Sequence, residues 1–218
     1  MNTNTGPSVL IITPTLGRDV RTVERCIASV RSQVFSGRIC QVVCSDGPAE
    51  SDIANLVARV TFGYNPDHFR LEYHNTGASR SSGTWGASIR QSVLDSFPTT
   101  PDYVAYVDDD NVILPHFVAA NVEALERHPA CGFAVCQIIH NGPLPDRFGR
   151  PPAILTGNPV ACQNIDTLQV VVRSEVMRKV GWVCGVGSAG YFNDGATYER
   201  LAKASQPVFV NEILGVHL

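Results

Sequence analysis

Val9-Leu10-Ile11-Ile12 is apolar without a break, entered from Ser8 and closed by Thr13-Pro14-Thr15. The run is too short for a buried helix and stops at a proline. It reads as a strand covered on both faces, the form strands take inside a parallel sheet. Parallel neighbours need crossovers, usually helices, between successive strands. The sequence supplies them. Asp19 suits an N-cap, and Val20, Val23, Ile27, Val30 and Val34 recur at helical spacing over about 19–35. Ile39 to Cys44 is a second strand, ended by the turn Ser45-Asp46-Gly47-Pro48. A helix over 51–60 follows, carrying Ile53, Leu56, Val57 and Val60, and then Phe69 to His74 alternates as a strand.

Asn75 to Gly86 is a loop rich in Gly, Ser and Thr, followed by a helix over about 85–96 with Ile89, Val93 and Leu94. Tyr103 to Val107 is strand-like, with a helix over about 115–127 and a strand over about 132–139 behind it. Beyond His140 the pattern loosens, and Asn141 to Pro159 reads as a long loop. Thr167–Val172 is expected to be a strand, Ser174–Val180 a short helix and Phe192–Lys203 a further helix. Val208–Val210 makes a last short strand before the tail 211–218. The expectation is one α/β domain over 1–218, with a mostly parallel central sheet flanked by helices.

The chain has 218 residues, enough to bury roughly 70% of its unfolded surface without staples. A net charge of −3 with no basic run argues against nucleic acid as a partner. Seven scattered cysteines with no CxxC pair fit reduced core thiols in a cytoplasmic protein. The start of the chain lacks a charged-then-apolar signal pattern, and no apolar run approaches the roughly 20 residues of a membrane span.

In open parallel sheets, ligands sit beyond the carboxyl ends of the strands. Three such ends are polar here: Thr13/Thr15, Asp46, and the trio Asp108-Asp109-Asp110. Two carboxylates about 4 Å apart repel by about 4 kcal/mol at an effective dielectric near 20. The trio therefore reads as a site for a divalent cation; the alternative is a solvated acidic turn.

Taken in order, Ile12-Thr13-Pro14-Thr15-Leu16-Gly17-Arg18, Val43-Cys44-Ser45-Asp46-Gly47-Pro48, Val107-Asp108-Asp109-Asp110-Asn111 and Tyr191-Phe192-Asn193-Asp194-Gly195 resemble the motifs of family 2 glycosyltransferases of GT-A fold. The resemblance covers nearly the whole chain. It implies transfer of a sugar from a nucleotide-diphosphate donor, UDP-linked by analogy with Asp46, to an acceptor hydroxyl. It also implies inversion at the anomeric carbon and dependence on Mn²⁺ or Mg²⁺. The donor half would span about 1–111 and the acceptor half about 112–218.

Carried over position by position, the resemblance puts Thr13, Thr15 and Asp46 at the nucleobase. It puts a basic residue, Arg90 or Arg80, near base and phosphates, and Asp108 or Asp109 at the ribose or a metal-bound water. Asp110 and His217 would hold the metal, and Asp194 would be the base that deprotonates the acceptor. Each has a plainer reading: strand-end hydroxyls for the threonines, an Asx-turn for Asp46, a helix N-cap for Asp194, a surface arginine, an exposed histidine. Glu199 is a rival base; Trp182 and Tyr191 flank the segment and could stack on a sugar. His68, His74, His116, His128 and His140 show no ligand-like spacing. Neither the Gln-x-x-Arg-Trp signature of processive synthases nor a membrane span is present, which points to single addition. The chain is short for the resemblance, which leaves room for a homo-oligomer completing the acceptor side. Two rivals remain: a haloacid-dehalogenase-type phosphatase or phosphotransferase, with Asp108 as nucleophile, and a nucleotide-sugar-binding module without catalysis.

Overall fold

The structure, a computed structural model, describes residues 6–47, 49–61, 68–77, 84, 86–141, 154–185 and 192–218. Among these residues nine strands form one sheet: β1 (Ser8–Thr15), β2 (Arg38–Ser45), β3 (Phe69–Asn75), β4 (Tyr103–Tyr106), β5 (Val112–Ile113), β6 (Cys131–His140), β7 (Ile154–Leu155), β8 (Val170–Arg173) and β9 (Gln206–His217). The described residues also form six α-helices: α1 (Val20–Arg31), α2 (Ser51–Thr61), α3 (Ala87–Ser96), α4 (Phe117–Arg127), α5 (Ser174–Val180) and α6 (Asn193–Ala204).

The strand order is β3-β2-β1-β4-β8-β6-β9-β5, with β7 paired to β6. The first four positions are parallel throughout, as the unbroken apolar runs required. β8 is antiparallel to both β4 and β6, β5 to β9, and β6 runs parallel to β9. The sheet is thus mixed α/β and mostly parallel, and it runs continuously through both halves of the chain.

Alternation along β1 explains why both of its faces are apolar. Val9 and Ile11 enter a core shared with α1, α2 and α4, while Leu10 and Ile12 enter a second core with α3, α5 and α6. All four are 0–1% exposed, so truncating Ile11 or Ile12 to alanine would cost about 2–5 kcal/mol.

Several boundaries differ from expectation for local reasons. α1 stops at Arg31 rather than near 35, because the Val34 N–H turns to the Pro115 carbonyl at 2.8 Å and its side chain faces solvent. Thr167–Gln169 is a 3₁₀ turn closed by a reciprocal capping box between Asp166 and Gln169, so β8 begins only at Val170. The last strand is far longer than Val208–Val210. Register shifts between Cys136 and Ile138 leave Asn211, Glu212 and Leu214 without partners on β6, which breaks the alternation while the ladder continues to His217. The short strands β5 and β7 carry too few residues for a periodic signal. Most of the expected 141–159 loop lies outside the described residues.

Candidate active site

The acidic motif leaves the end of β4. The Val107 N–H still bonds the Ile12 carbonyl at 3.2 Å, after which a turn closes from the Asn111 N–H to the Asp108 carbonyl at 3.0 Å. Each carboxylate has a cationic partner. Asp108 is ion-paired with Arg90 and lies 3.4 Å from the Thr167 hydroxyl. Asp109 Oδ1 accepts from Arg18 Nε at 3.2 Å, and Asp110 Oδ2 from Arg18 Nη2 at 2.7 Å. Arg25 Nη2 donates to the Asp110 carbonyl at 3.0 Å. Burial pushes Asp109 up to about 6; Thr15 and Arg18 pull it down, and Asp108 and Asp110 push it further up.

Arg90 is a buried residue of α3, its guanidinium 4.9 Å from the Trp182 ring centroid. Burial opposes its charge, but the Asp108 carboxylate holds its pKa above the ordinary arginine value. Trp182 itself is core, edge-on to Tyr106 at 4.7 Å and Tyr198 at 5.9 Å. Arg80 and Tyr191 lie outside the described residues.

The ends of β6 and β9 bring in a group that sequence spacing missed. His140 and His217 occupy one rung of the ladder, their rings stacked 4.2 Å apart and 9° from parallel. His217 Nε2 is 4.0 Å from Asp166 Oδ2, and one donor atom from each of His140, Asp166 and His217 lies within 4.8 Å of the others. His217 Nδ1 is buried without a hydrogen-bond partner. Burial raises the Asp166 pKa, opposed by His217 and the Leu168 N–H and reinforced by Asp108. Two imidazoles and a carboxylate are a credible donor set for a first-row divalent ion. Asp110 is committed to Arg18 rather than to His217, while the Leu218 N–H reaches Asn111 Oδ1 at 3.4 Å and ties this corner to the acidic motif.

Asp194 lies in the first turn of α6, one residue inside it; the N-cap position belongs to Phe192. Its Oδ1 accepts the Gly195 N–H at 2.8 Å. Asn193 fixes the helix start by donating to the Thr84 and Gly185 carbonyls at 3.1 and 3.0 Å and accepting the Gly185 N–H at 2.8 Å. Burial pushes Asp194 up to about 7, with Asp166 adding to the rise, Gly195 and Arg90 opposing it and Asp108 adding a little. Asp108, Asp166, Asp194 and Arg90 therefore share one electrostatic neighbourhood. Glu199 is engaged elsewhere: its Oε1 accepts the Cys162 N–H at 2.8 Å. A Cβ on Gly195 would fall 2.8 Å from Cys162 Cα, so only glycine lets that loop seat on α6.

On the β1–β2 side, Thr13 is fully buried, and its hydroxyl accepts from Gln41 Nε2 at 3.0 Å. Thr15 Oγ1 is buried close to Asp109 without a partner at hydrogen-bonding geometry. Asp46 is 8% exposed, and its Oδ1 is buried and unpartnered. Neighbouring loops are locked: the Gly17 N–H donates to both Glu50 carboxylate oxygens at 3.1 Å, and the Glu50 N–H to the Tyr73 hydroxyl at 2.8 Å. All seven cysteines are free thiols, and among the described residues no helix is long and apolar enough to cross a membrane.

Comparison with known proteins places the fold and the family. An N-acetylglucosaminyltransferase of Bradyrhizobium elkanii is 30% identical over 135 residues, 61% of this chain and 67% of that protein. One of Rhizobium leguminosarum bv. viciae is 28% identical over 139 residues, 63% of this chain but 30% of its own length. Among solved structures, S. aureus TarS 1-349 in complex with UDP-GlcNAc superposes with a TM-score of 0.71 at 11% identity, over 96% of this chain and 58% of that one. A Pyrobaculum calidifontis mannosyltransferase in complex with GDP-Man and Mn²⁺ gives 0.66 at 16% identity, over 98% and 58%. The chain thus spans somewhat under two thirds of these structural neighbours, whose likeness establishes the fold. The sequence pattern of glycosyl transferase family 2 matches residues 10–179, and the chain belongs to that family of enzymes.

Proposed function

We propose that this chain transfers N-acetylglucosamine from a UDP-linked donor to an acceptor hydroxyl, with inversion and one sugar per encounter. The observation that carries the reading is the gathering of Asp108, Asp166, Asp194 and Arg90 beyond the strand ends of a family 2 frame. The names of the relatives support the choice of sugar, and UDP-GlcNAc in a structural neighbour supports the base. The half of the chain up to about 111 would hold the donor: Asp46 offers its unpartnered oxygen to the base, beside Thr13 and Thr15, and Asp108 and Asp109 face the ribose. The half after 112 would shape the acceptor side.

His140, Asp166 and His217 would hold the cation, with Asp110 joining them once its carboxylate is free of Arg18; the two imidazoles favour Mn²⁺ over Mg²⁺, which prefers oxygen ligands. When bound, the ion supplies positive charge to the departing diphosphate. Arg90, buried and fixed, keeps Asp108 in place rather than reaching the donor itself. Asp194 removes the acceptor's hydroxyl proton as that oxygen bonds to the anomeric carbon. The bond from that carbon to the diphosphate oxygen breaks, and its electron pair leaves with UDP. A carboxylate raised to about 7 is matched to this task.

The test is UDP release from UDP-GlcNAc with Mn²⁺, set against GDP-mannose and with an acceptor panel. Asp194→Asn should lower turnover by about 10²–10⁴ with UDP affinity unchanged. No UDP release with any acceptor, or an Asp194→Asn variant at full rate, would end the proposal.

A further inference from the structure

Two guanidiniums pair with the three carboxylates of the acidic motif, and they differ in exposure. Arg90 is 5% exposed, anchored in α3 and stacked on Trp182. Arg18 belongs to the loop between β1 and α1, and its side chain is 51% exposed. Its fork spans two carboxylates, Nε on Asp109 and Nη2 on Asp110. A divalent ion on Asp110 competes with Arg18 for one carboxylate, whose Oδ2 the guanidinium already holds.

We infer that Arg18 is a tethered counter-cation: it holds Asp109 and Asp110 until a divalent ion arrives, then swings to the donor's diphosphate. The inference rests on the nucleotide-sugar reading above. Exchange at Asp110 is inexpensive, because that partly exposed contact contributes only about 0–1 kcal/mol, whereas Asp109, 6% exposed, needs the arriving ion to replace the guanidinium's charge. The backbone need not follow the side chain. Glu50 clamps the Gly17 N–H with both oxygens, the Asp19 side chain caps α1 through the Arg21 N–H at 2.7 Å, and Arg25 keeps hold of the Asp110 carbonyl. The freed planar fork matches two phosphate oxygens as well as it matched two carboxylates.

Mn²⁺ binding alone, followed by the spin-resonance signal of the free ion, and UDP binding at saturating Mn²⁺, followed by calorimetry, test this on the full chain. Arg18→Gln should bind Mn²⁺ about 3- to 5-fold more tightly and UDP about 10-fold more weakly. Arg18→Lys keeps the charge and loses the fork; it should leave Mn²⁺ affinity near wild type and weaken UDP by an intermediate factor. Opposite signs in Arg18→Gln are the signature, since a scaffolding residue would weaken both. Affinities that move together, or either one unmoved, overturn the inference. A wild-type chain that binds neither Mn²⁺ nor UDP overturns the underlying reading instead.

Discussion

Asp194→Asn separates the proposed base from the fold because the two effects have opposite signs. The wild-type carboxyl is raised from 3.8 to about 7, chiefly by burial and then by the Asp166 charge. Between those two values the folded chain binds more protons at this site than the unfolded chain. Stability therefore falls as pH rises across that window, and the full cost is present above about 7. Three units correspond to about 4 kcal/mol at 1.36 kcal/mol each. Asp194 keeps some solvent contact, so about 2–4 kcal/mol is the working range. Asparagine has no proton to lose and can still accept the Gly195 N–H. Urea unfolding of both proteins at pH 5, 6, 7 and 8 should show the smallest gap between midpoints at pH 5, widening as pH rises towards about 7. At pH 8 the variant should be the more stable, although its turnover is lower by orders of magnitude. Wild-type turnover should rise with pH through about 7, at a lower midpoint with Mn²⁺ because an ion on Asp166 cancels the charge that raises Asp194. An Asp194→Asn protein no more stable than wild type at pH 8 would refute the claim that this carboxylate is held among buried acids.

Gly195→Ala puts a methyl against the backbone of Cys162. It should cost about 1–3 kcal/mol in thermal unfolding and reduce turnover more than UDP affinity; an unchanged melting temperature would show that the loop yields freely. Arg90→Met leaves Asp108 without its cation. Because Asp108 is 33% exposed, the loss in urea unfolding should be about 2–3 kcal/mol, below the range for fully buried pairs, and adding Asp108→Asn should recover part of it. No recovery in the double variant would mean that the loss comes from packing on Trp182 alone.

The parallel half of the sheet was legible because burial on both faces leaves unbroken apolar runs, and the acidic motif because its three carboxylates are contiguous. Arg90 was harder to place: its neighbours Ile89 and Val93 mark a buried helix face, and periodicity cannot say that a guanidinium will be buried among them. His140 was invisible for a topological reason. Its partnership with His217 exists only because β9 lies parallel to β6 and bulges at Asn211-Glu212 and again at Leu214. Were the register at Cys136 and Val210 carried on unbroken, Leu214 would lie opposite His140. The irregularity that hid most of β9 from the alternating pattern is thus what brings His217 onto the rung.

That dependence gives the cation assignment a sharp test, because it links histidines from two distant parts of the chain. If His140, Asp166 and His217 form one site, His140→Ala and His217→Ala should each abolish stabilisation by Mn²⁺. That stabilisation should reach about 2.7 kcal/mol at 100 times the dissociation constant. His116→Ala, in an exposed position before α4, should keep it in full. A His140→Ala protein that Mn²⁺ still stabilises fully would leave the stacked pair as β-ladder packing, and the ion to the carboxylates of the acidic motif alone.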